Sequence, residues 1–122
     1  MLRLASFVLL SGLSFLSLAK ACETKRELFI ENSAAKVWKT TICPQQILPF
    51  HTHEYARVVI PEESGVLKVV YASGKEHTFK LKQKTPIFLS QAQGKDSHQD
   101  INVGSNVLHV IVVELRNQPD AK

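Results

Sequence analysis

FHTHEYAR, residues 50–57, holds two histidines that stand two positions apart. Side chains alternate between the two faces of an extended strand, so His51 and His53 are expected to share one face. Imidazole is a common ligand of zinc, copper, iron and nickel, and a strand backbone would fix the geometry of the pair. The stretch therefore predicts part of a metal site and requires a further ligand from elsewhere in the chain.

The first 21 residues have the pattern of a removable secretory signal. Arg3 gives a positive start, residues 4–18 are largely apolar, and Ala19-Lys20-Ala21 fits a small-x-small cleavage site. The apolar run is shorter than the about 20 residues that a membrane span needs. We expect a signal peptide over 1–21, cleavage near Ala21, and a periplasmic or secreted protein with no membrane segment after cleavage. A membrane anchor that is never cut is the alternative.

The charge balance gives no indication of a nucleic-acid partner. Without residues 1–21 the chain keeps 13 basic and 11 acidic residues, a net charge of +2. Lysines 80, 82 and 84 alternate along one predicted strand and no aromatic residue interleaves with them, so they form a wet face rather than a stacking surface. We expect no nucleic-acid binding.

Two cysteines, Cys22 and Cys43, remain after the predicted cleavage. An even number of cysteines in a small exported domain indicates a disulfide, because such a domain matures in an oxidising compartment. The alternative is one buried thiol and one thiol on a mobile terminus. The sequence leaves both open.

The rest of the chain predicts an all-β fold. No window of a dozen residues has a sustained helical period, and turns recur every 8 to 12 residues, which is typical of an antiparallel barrel or sandwich. A loop over 44–49 is expected to lead into His51. We predict one β-barrel domain over 22–116 and a loose tail over 117–122. The predicted strands are 27–30, 37–42, 55–60, 66–71, 77–81, 85–89, 98–103 and 107–115.

A second histidine motif completes a pattern along the chain. His51-x-His53, then Gly65, then His98-x-x-x-Asn102 and an apolar last strand resemble the two motifs of the cupin superfamily. The resemblance covers about residues 42–115. It implies a double-stranded β-helix, or jelly-roll barrel, that holds a divalent transition metal inside through His51, His53 and His98.

One position departs from the cupin pattern. The family has a glutamate separated from the second histidine by three or four residues, and this chain has Arg57 and Val58 there. Glu54 and Asp100 are weak candidates for a replacement acid, because Glu54 is expected on the opposite face and Asp100 one layer away from the metal. A three-histidine site follows, in which zinc, iron, nickel, copper and manganese cannot be ranked.

Arg57 continues the alternation of His51, His53 and Tyr55, so all four are expected to face inward. A buried arginine is costly without a partner, and its planar fork suits a carboxylate or phosphate. We predict that Arg57, with help from the Tyr55 hydroxyl, binds a small anionic molecule. The alternatives are that Arg57 pairs with an acid of the chain or reaches the rim, and that Tyr55 only packs.

Three functions fit these residues. The first is an exported metal-dependent enzyme that acts on a small anion. The second is a non-catalytic module that binds a small ligand in the same pocket. The third is a structural jelly roll without metal, which as a homodimer would join through sheet edges. The sequence does not decide whether the protein is an enzyme, and His77 and His109 are interpreted as structural.

Overall fold

The computed structural model describes Gly12 and residues 21–116. The predicted signal peptide and the predicted tail over 117–122 lie outside the described residues, apart from Gly12 and Ala21. In the part of the chain that the structure describes, no helix is both long and apolar enough to span a membrane.

The described residues form nine strands and one short helix, which confirms the prediction of an all-β fold. In chain order they are β1 (Lys25–Glu31), β2 (Ala35–Ile42), β3 (Ile47–His51), β4 (Arg57–Pro61), β5 (Gly65–Tyr71), β6 (Glu76–Leu81), β7 (Ile87–Leu89), α1 (Gln91–Gly94), β8 (His98–Asn102) and β9 (Leu108–Leu115).

The strands form two antiparallel sheets. One has the order β1-β2-β9-β4-β7 and the other β3-β8-β5-β6. The chain crosses from one sheet to the other between β2 and β3, again between β3 and β4, and again between β4 and β5. Antiparallel strands that alternate between two sheets are the arrangement of a jelly roll, as predicted.

Strand β9 shows how the sequence creates the inner face. Its burial alternates along its whole length, with Leu108, Val110, Val112 and Glu114 buried. This period of two follows from the pleat, which turns successive side chains to opposite faces. Three apolar side chains and one carboxylate therefore point into the barrel from the middle of the five-stranded sheet.

The barrel is closed at the end where Asn102 lies. Ile42, Leu108 and Asn102 are at most 2% exposed. The Asn102 amide donates to the carbonyls of Ile42 at 2.9 Å and of Asn106 at 2.7 Å. A Cβ at Gly65 would overlap the Leu108 side chain, so the glycine of the predicted motif is needed for this close packing. This end is the floor of the barrel.

Two predicted boundaries were wrong near the first histidine motif. Residues 44–49 were predicted as a loop, but β3 begins at Ile47 and contains Pro49. Strand β3 is an edge strand, where the missing N–H of proline costs no ladder bond. The strand predicted over 55–60 begins only at Arg57 and ends at Pro61.

Cys22 and Cys43 form a disulfide. Their Cα atoms are 5.9 Å apart, and Cys43 directly follows β2. The Thr24 hydroxyl accepts a hydrogen bond from the backbone N–H of Cys43 at 3.0 Å. The bridge therefore fastens the segment before β1 to the end of β2.

Candidate metal and anion site

The three predicted histidines meet at the end of the barrel opposite the floor. His51, the last residue of β3, is the register partner of His98, the first residue of β8. The ring centroid of His51 is 4.5 Å from that of His98 and 4.9 Å from that of His53. One nitrogen from each ring lies within 4.8 Å of the other two, so the group could hold a metal ion.

Two of the rings are oriented by the backbone. The Nδ1 of His51 is 2.7 Å from the Pro49 carbonyl, and the Nδ1 of His98 is 2.8 Å from the Asp96 carbonyl. A carbonyl oxygen can only accept, so both Nδ1 atoms carry a proton, and in a neutral imidazole Nε2 is then the nitrogen with the free lone pair. Histidines that bind metals are usually fixed by such a bond from the other ring nitrogen.

The free nitrogen of His51 is buried and has no hydrogen-bond partner among the described residues. Asp100 Oδ2 lies 3.4 Å away, and both side chains are 15% exposed. Burial lowers the pKa of His51 and raises that of Asp100, which disfavours the charged form of each. Two lone-pair atoms that face each other at this distance need a proton or a metal ion between them.

His53 lies beyond the end of β3, so the strand alternation does not position it. Its ring stacks on Trp38, with centroids 6.3 Å apart and planes 9° apart, and its backbone N–H donates to the Gly94 carbonyl at 2.7 Å. Burial, and then the nearby Arg57 guanidinium, lower the pKa of His53 to about 2. His53 is therefore neutral at physiological pH, which is the form that binds metals.

Arg57, the first residue of β4, is 5% exposed and lines the cavity between the sheets. Its Nη1 is buried without a hydrogen-bond partner, and no ion pair to it forms within the described ranges. Burial lowers the pKa of Arg57, while the charges of Asp100, Tyr71 and Glu114 raise it. The alternative that Arg57 pairs directly with an acid of the chain is thus not what the structure shows.

Tyr55 and Glu54 do not reach the cavity. The prediction that Tyr55 faces inward was wrong, because the strand is interrupted between His51 and Arg57. The Tyr55 ring instead lies 5.9 Å from the guanidinium carbon of Arg116. Glu54 is exposed, and its carbonyl accepts a bond from Gln91.

Neither a protein-family model nor a curated protein sequence matches the chain. Solved structures do match. A cupin domain from Bordetella pertussis Tohama I has a TM-score of 0.68 at 21% identity, over 80% of this chain and 97% of that one. A cupin-family protein with a double-stranded β-helix from Methanocaldococcus jannaschii has a TM-score of 0.61 at 14% identity, over 79% of this chain and 83% of that one.

This chain has the cupin fold. A further similar structure is the polyketide cyclase RemF from Streptomyces resistomycificus, with a TM-score of 0.56 at 17% identity, over 80% of this chain and 68% of that one. At these identities the similarity establishes the architecture, and the chemistry has to be argued from the residues of this cupin barrel.

The cavity of the cupin barrel measures about 800 Å³, including the space at its open mouth. The lining residues that were not assigned to the site from the sequence include Arg26, Trp38, Tyr71 and Gln93. Tyr71 is the register partner of His98, and Arg26 lies over Trp38 at 5.5 Å. For Tyr71 the sequence offered one signal, a tyrosine at the end of an apolar strand. This signal does not show which strand lies beside it.

The two remaining histidines lie away from the triad. His77 is exposed and contacts Phe79, with ring centroids 4.3 Å apart. His109 donates its backbone N–H to Glu63 at 2.8 Å and also bonds that carboxylate through its ring. Glu62 and Glu63 could join His109 around an ion, but Glu63 already bonds His109, and Glu62 pairs with Lys39 at 3.1 Å.

Proposed function

We propose that this protein is an exported cupin-fold protein that binds a divalent transition metal through His51, His53 and His98 and a small anion through Arg57. The observation that carries the proposal is the orientation of the rings. Two Nδ1–H groups are held by backbone carbonyls, and the opposite nitrogen of His51 is buried without a partner. A set of three imidazole nitrogens fits zinc, iron, nickel or copper.

A metal bound there would act as a Lewis acid that polarises an oxygen of a bound molecule. The residues of the chain have separate tasks. Trp38 and the Gly94 carbonyl hold His53 in place, and Asp100 lies 3.4 Å from the Nε2 atom of His51. With three protein ligands, coordination positions remain for water or for the anion.

Arg57 supports the anion half of the proposal. Arg57 is 5% exposed and its Nη1 is buried without a hydrogen-bond partner among the described residues, which carries a desolvation cost that a bound anion would offset. Its fork makes two parallel bonds to a carboxylate or phosphate. Both the enzyme and the non-catalytic binding protein use this arrangement, and RemF shows only that the cupin fold accommodates a cyclase.

The proposal that the protein is exported rests on the amino-terminal sequence pattern and on the disulfide. The Cys22–Cys43 bridge is typical of proteins that mature outside the cytosol. Expression of the full chain, followed by fractionation and amino-terminal sequencing, tests this point. A mature chain that begins at or near Cys22 in the periplasm or medium is expected, and an uncut chain in the cytosol would contradict export.

The edge strand β1 supports the homodimer that the sequence leaves open. Leu28, Phe29 and Ile30 are 49–59% exposed on a strand with unpaired backbone groups, and such edges pair readily with a second chain. We propose that β1 joins two copies. Light scattering after size exclusion should give a dimer for the wild type and a monomer for Ile30→Lys; a wild-type monomer would contradict the pairing.

Elemental analysis of protein purified without a histidine tag tests the metal site. We expect about one transition metal per chain and a lower melting temperature after chelation, and His98→Ala should lose both the metal and the chelator effect. His77→Ala is the matched control, because that histidine is exposed and away from the triad. A metal-free wild type whose melting temperature does not change on adding Zn²⁺, Fe²⁺, Ni²⁺, Cu²⁺ or Mn²⁺ would overturn the metal site.

A further inference from the structure

The side chains of β5 that line the cavity change from polar to apolar along its axis, as the register of β5 and β8 shows. Tyr71 is paired with His98, then Val69 with Asp100, and finally Leu67 with Asn102 at the floor. Moving along β5 from the histidine end to the floor therefore replaces a polar-tipped residue by two apolar ones. All three residues of β5 line the cavity.

The opposite sheet changes in the same direction. Arg57 is paired with Glu114 near the histidines, and the next inward pair is Val59 with Val112. Beyond them lies an apolar cluster in which Leu81 and Val110 are buried and Val59, Leu67, Phe79 and Ile87 pack around them. Both sheets thus place charge at the histidine end, and most of the remaining lining is hydrocarbon, with Asp100 opposite Val69 and Thr40 beside Val110 as polar exceptions.

The charges at the histidine end restrict the ligand further. Arg57 is the buried cation and Arg26 is a second, exposed cation that lines the cavity, while Asp100 lies beside His51 and Glu114 is also buried. Glu114 already accepts a bond from Arg116 at 3.0 Å, so among the described residues Arg57 is left as the buried cation without an ion pair and can match one negative charge on a ligand. A single carboxylate satisfies the fork of Arg57 and introduces the least repulsion.

We propose that the ligand is an apolar carboxylate, with its charged end at Arg57 and a hydrocarbon or aromatic body in the apolar part of the cavity. This inference rests on the proposed anion site and specifies its ligand class. The span from Tyr71 to Leu67 is four residues of strand, roughly 13 Å, which fits a medium-length acyl chain or one ring on a short linker.

Calorimetry with straight-chain acids tests the ligand class. The probes are acetate, butyrate, hexanoate and octanoate, titrated into the metal-free protein and into the protein loaded with the metal identified by elemental analysis. Affinity should rise about fourfold for each added methylene, because each one leaves water for the apolar part of the cavity. Octanol and octyl phosphate complete the series, and both should bind at least tenfold more weakly than octanoate.

The matched variants are Arg57→Met and Lys80→Met. Arg57→Met should reduce octanoate affinity at least tenfold and abolish the preference over octanol, whereas Lys80→Met removes an exposed cation on β6 and should change neither. The wild-type series decides the matter even if Arg57→Met fails to fold.

Each outcome separates this inference from the proposed function. Acetate that binds as tightly as octanoate would overturn the apolar ligand and leave the anion site standing. Octanol that binds as tightly as octanoate would overturn the carboxylate, and tighter binding of octyl phosphate would assign the site to phosphate esters. If the protein binds metal but none of the acids, both the apolar ligand and the anion site fail; if it binds no metal either, the whole proposed function fails.

Discussion

At the scale of single residues, Arg57 carries much of the functional argument. Its position in the motif was read from the sequence, because the departure from the cupin glutamate falls on it. Its burial and its lack of a partner at Nη1 could be learned only from the packing of β4 against the rest of the barrel. A residue that is costly for the fold and aims into a cavity is a typical compromise between stability and binding.

This compromise predicts that Arg57→Met stabilises the ligand-free protein. Methionine keeps much of the side-chain volume and removes a buried, unpaired charge, so the free energy of unfolding should rise by about 1 to 3 kcal/mol. Urea unfolding of the metal-free protein measures the change, with Lys80→Met as the control. A destabilised Arg57→Met would mean that the guanidinium makes stabilising interactions with the chain.

His53 predicts how acid affects the metal-free protein. Its pKa is lowered to about 2 in the folded state, against an ordinary value near 6.5, so the unfolded chain binds more protons between these values. Stability should therefore fall as the pH drops below about 6.5 and stay constant above it. Asp100, whose pKa is raised, contributes with the opposite sign.

Thermal melts between pH 4 and 8 in the presence of a chelator measure this dependence. In His53→Gln the decrease from pH 7 to pH 4 should be smaller than in the wild type, because glutamine does not titrate. Equal slopes for the two proteins would assign the acid sensitivity to other groups.

At the scale of elements, the strand pattern predicted the histidines better than it predicted their neighbours. His51 and His53 were expected on one strand and His98 on another; His51 and His98 lie on paired strands, whereas His53 lies beyond the end of β3. Tyr55 was misplaced because the alternation was extended through residues 52–56, which are not part of a strand. The short helix α1 was missed, since four residues give no helical period.

Gly94, the last residue of helix α1, is a position where we expect substitution to disturb the site. A Cβ at Gly94 would lie 2.7 Å from the His53 Cβ and 2.8 Å from Arg57 Nη1. Gly94→Ala should therefore shift both side chains, lower the metal affinity about tenfold, and cost about 1 to 3 kcal/mol of stability. Gly104→Ala is the matched control, because its nearest neighbour would be the Asn102 Oδ1 at 3.4 Å.

Competition with a metal-sensitive dye measures the affinities of the two glycine variants. If Gly94→Ala binds metal as tightly as the wild type, the rings tolerate displacement and the site is looser than its geometry indicates. Loss of affinity in Gly104→Ala as well would indicate a general effect of replacing glycines rather than a local effect at the site.

At the scale of the whole molecule, the fold could be predicted from the motif order and the strand spacing, but the interior of the cavity could not. Two histidine motifs and a glycine indicate which barrel is built. Some apolar side chains line the cavity and others fill the core. The difference depends on the register of strands that are distant in sequence, such as Val59 with Val112. The proposal of an apolar ligand therefore depends on the strand register and not on the sequence motifs.

The disulfide acts at this scale because it fixes the start of the domain to the end of β2. Cys22 and Cys43 are 21 residues apart, and closing a loop of that size stabilises a protein by about 3 kcal/mol. Replacing both cysteines by serine should lower the melting temperature and leave metal stoichiometry unchanged. Calorimetric melts of the variant and of the wild type in reductant test this; equal melting temperatures in the two states would contradict it.

Gly94 touches both halves of the site, since its carbonyl holds His53 and its missing side chain leaves room for Arg57. The metal and the carboxylate therefore act on one shared piece of backbone, and their binding should be cooperative. Thermodynamic linkage requires the effect to be reciprocal: whatever factor the metal adds to the affinity for octanoate, octanoate must add to the affinity for the metal. Titrations in both orders should return one coupling factor above unity, and a factor of one would show that the two halves work independently.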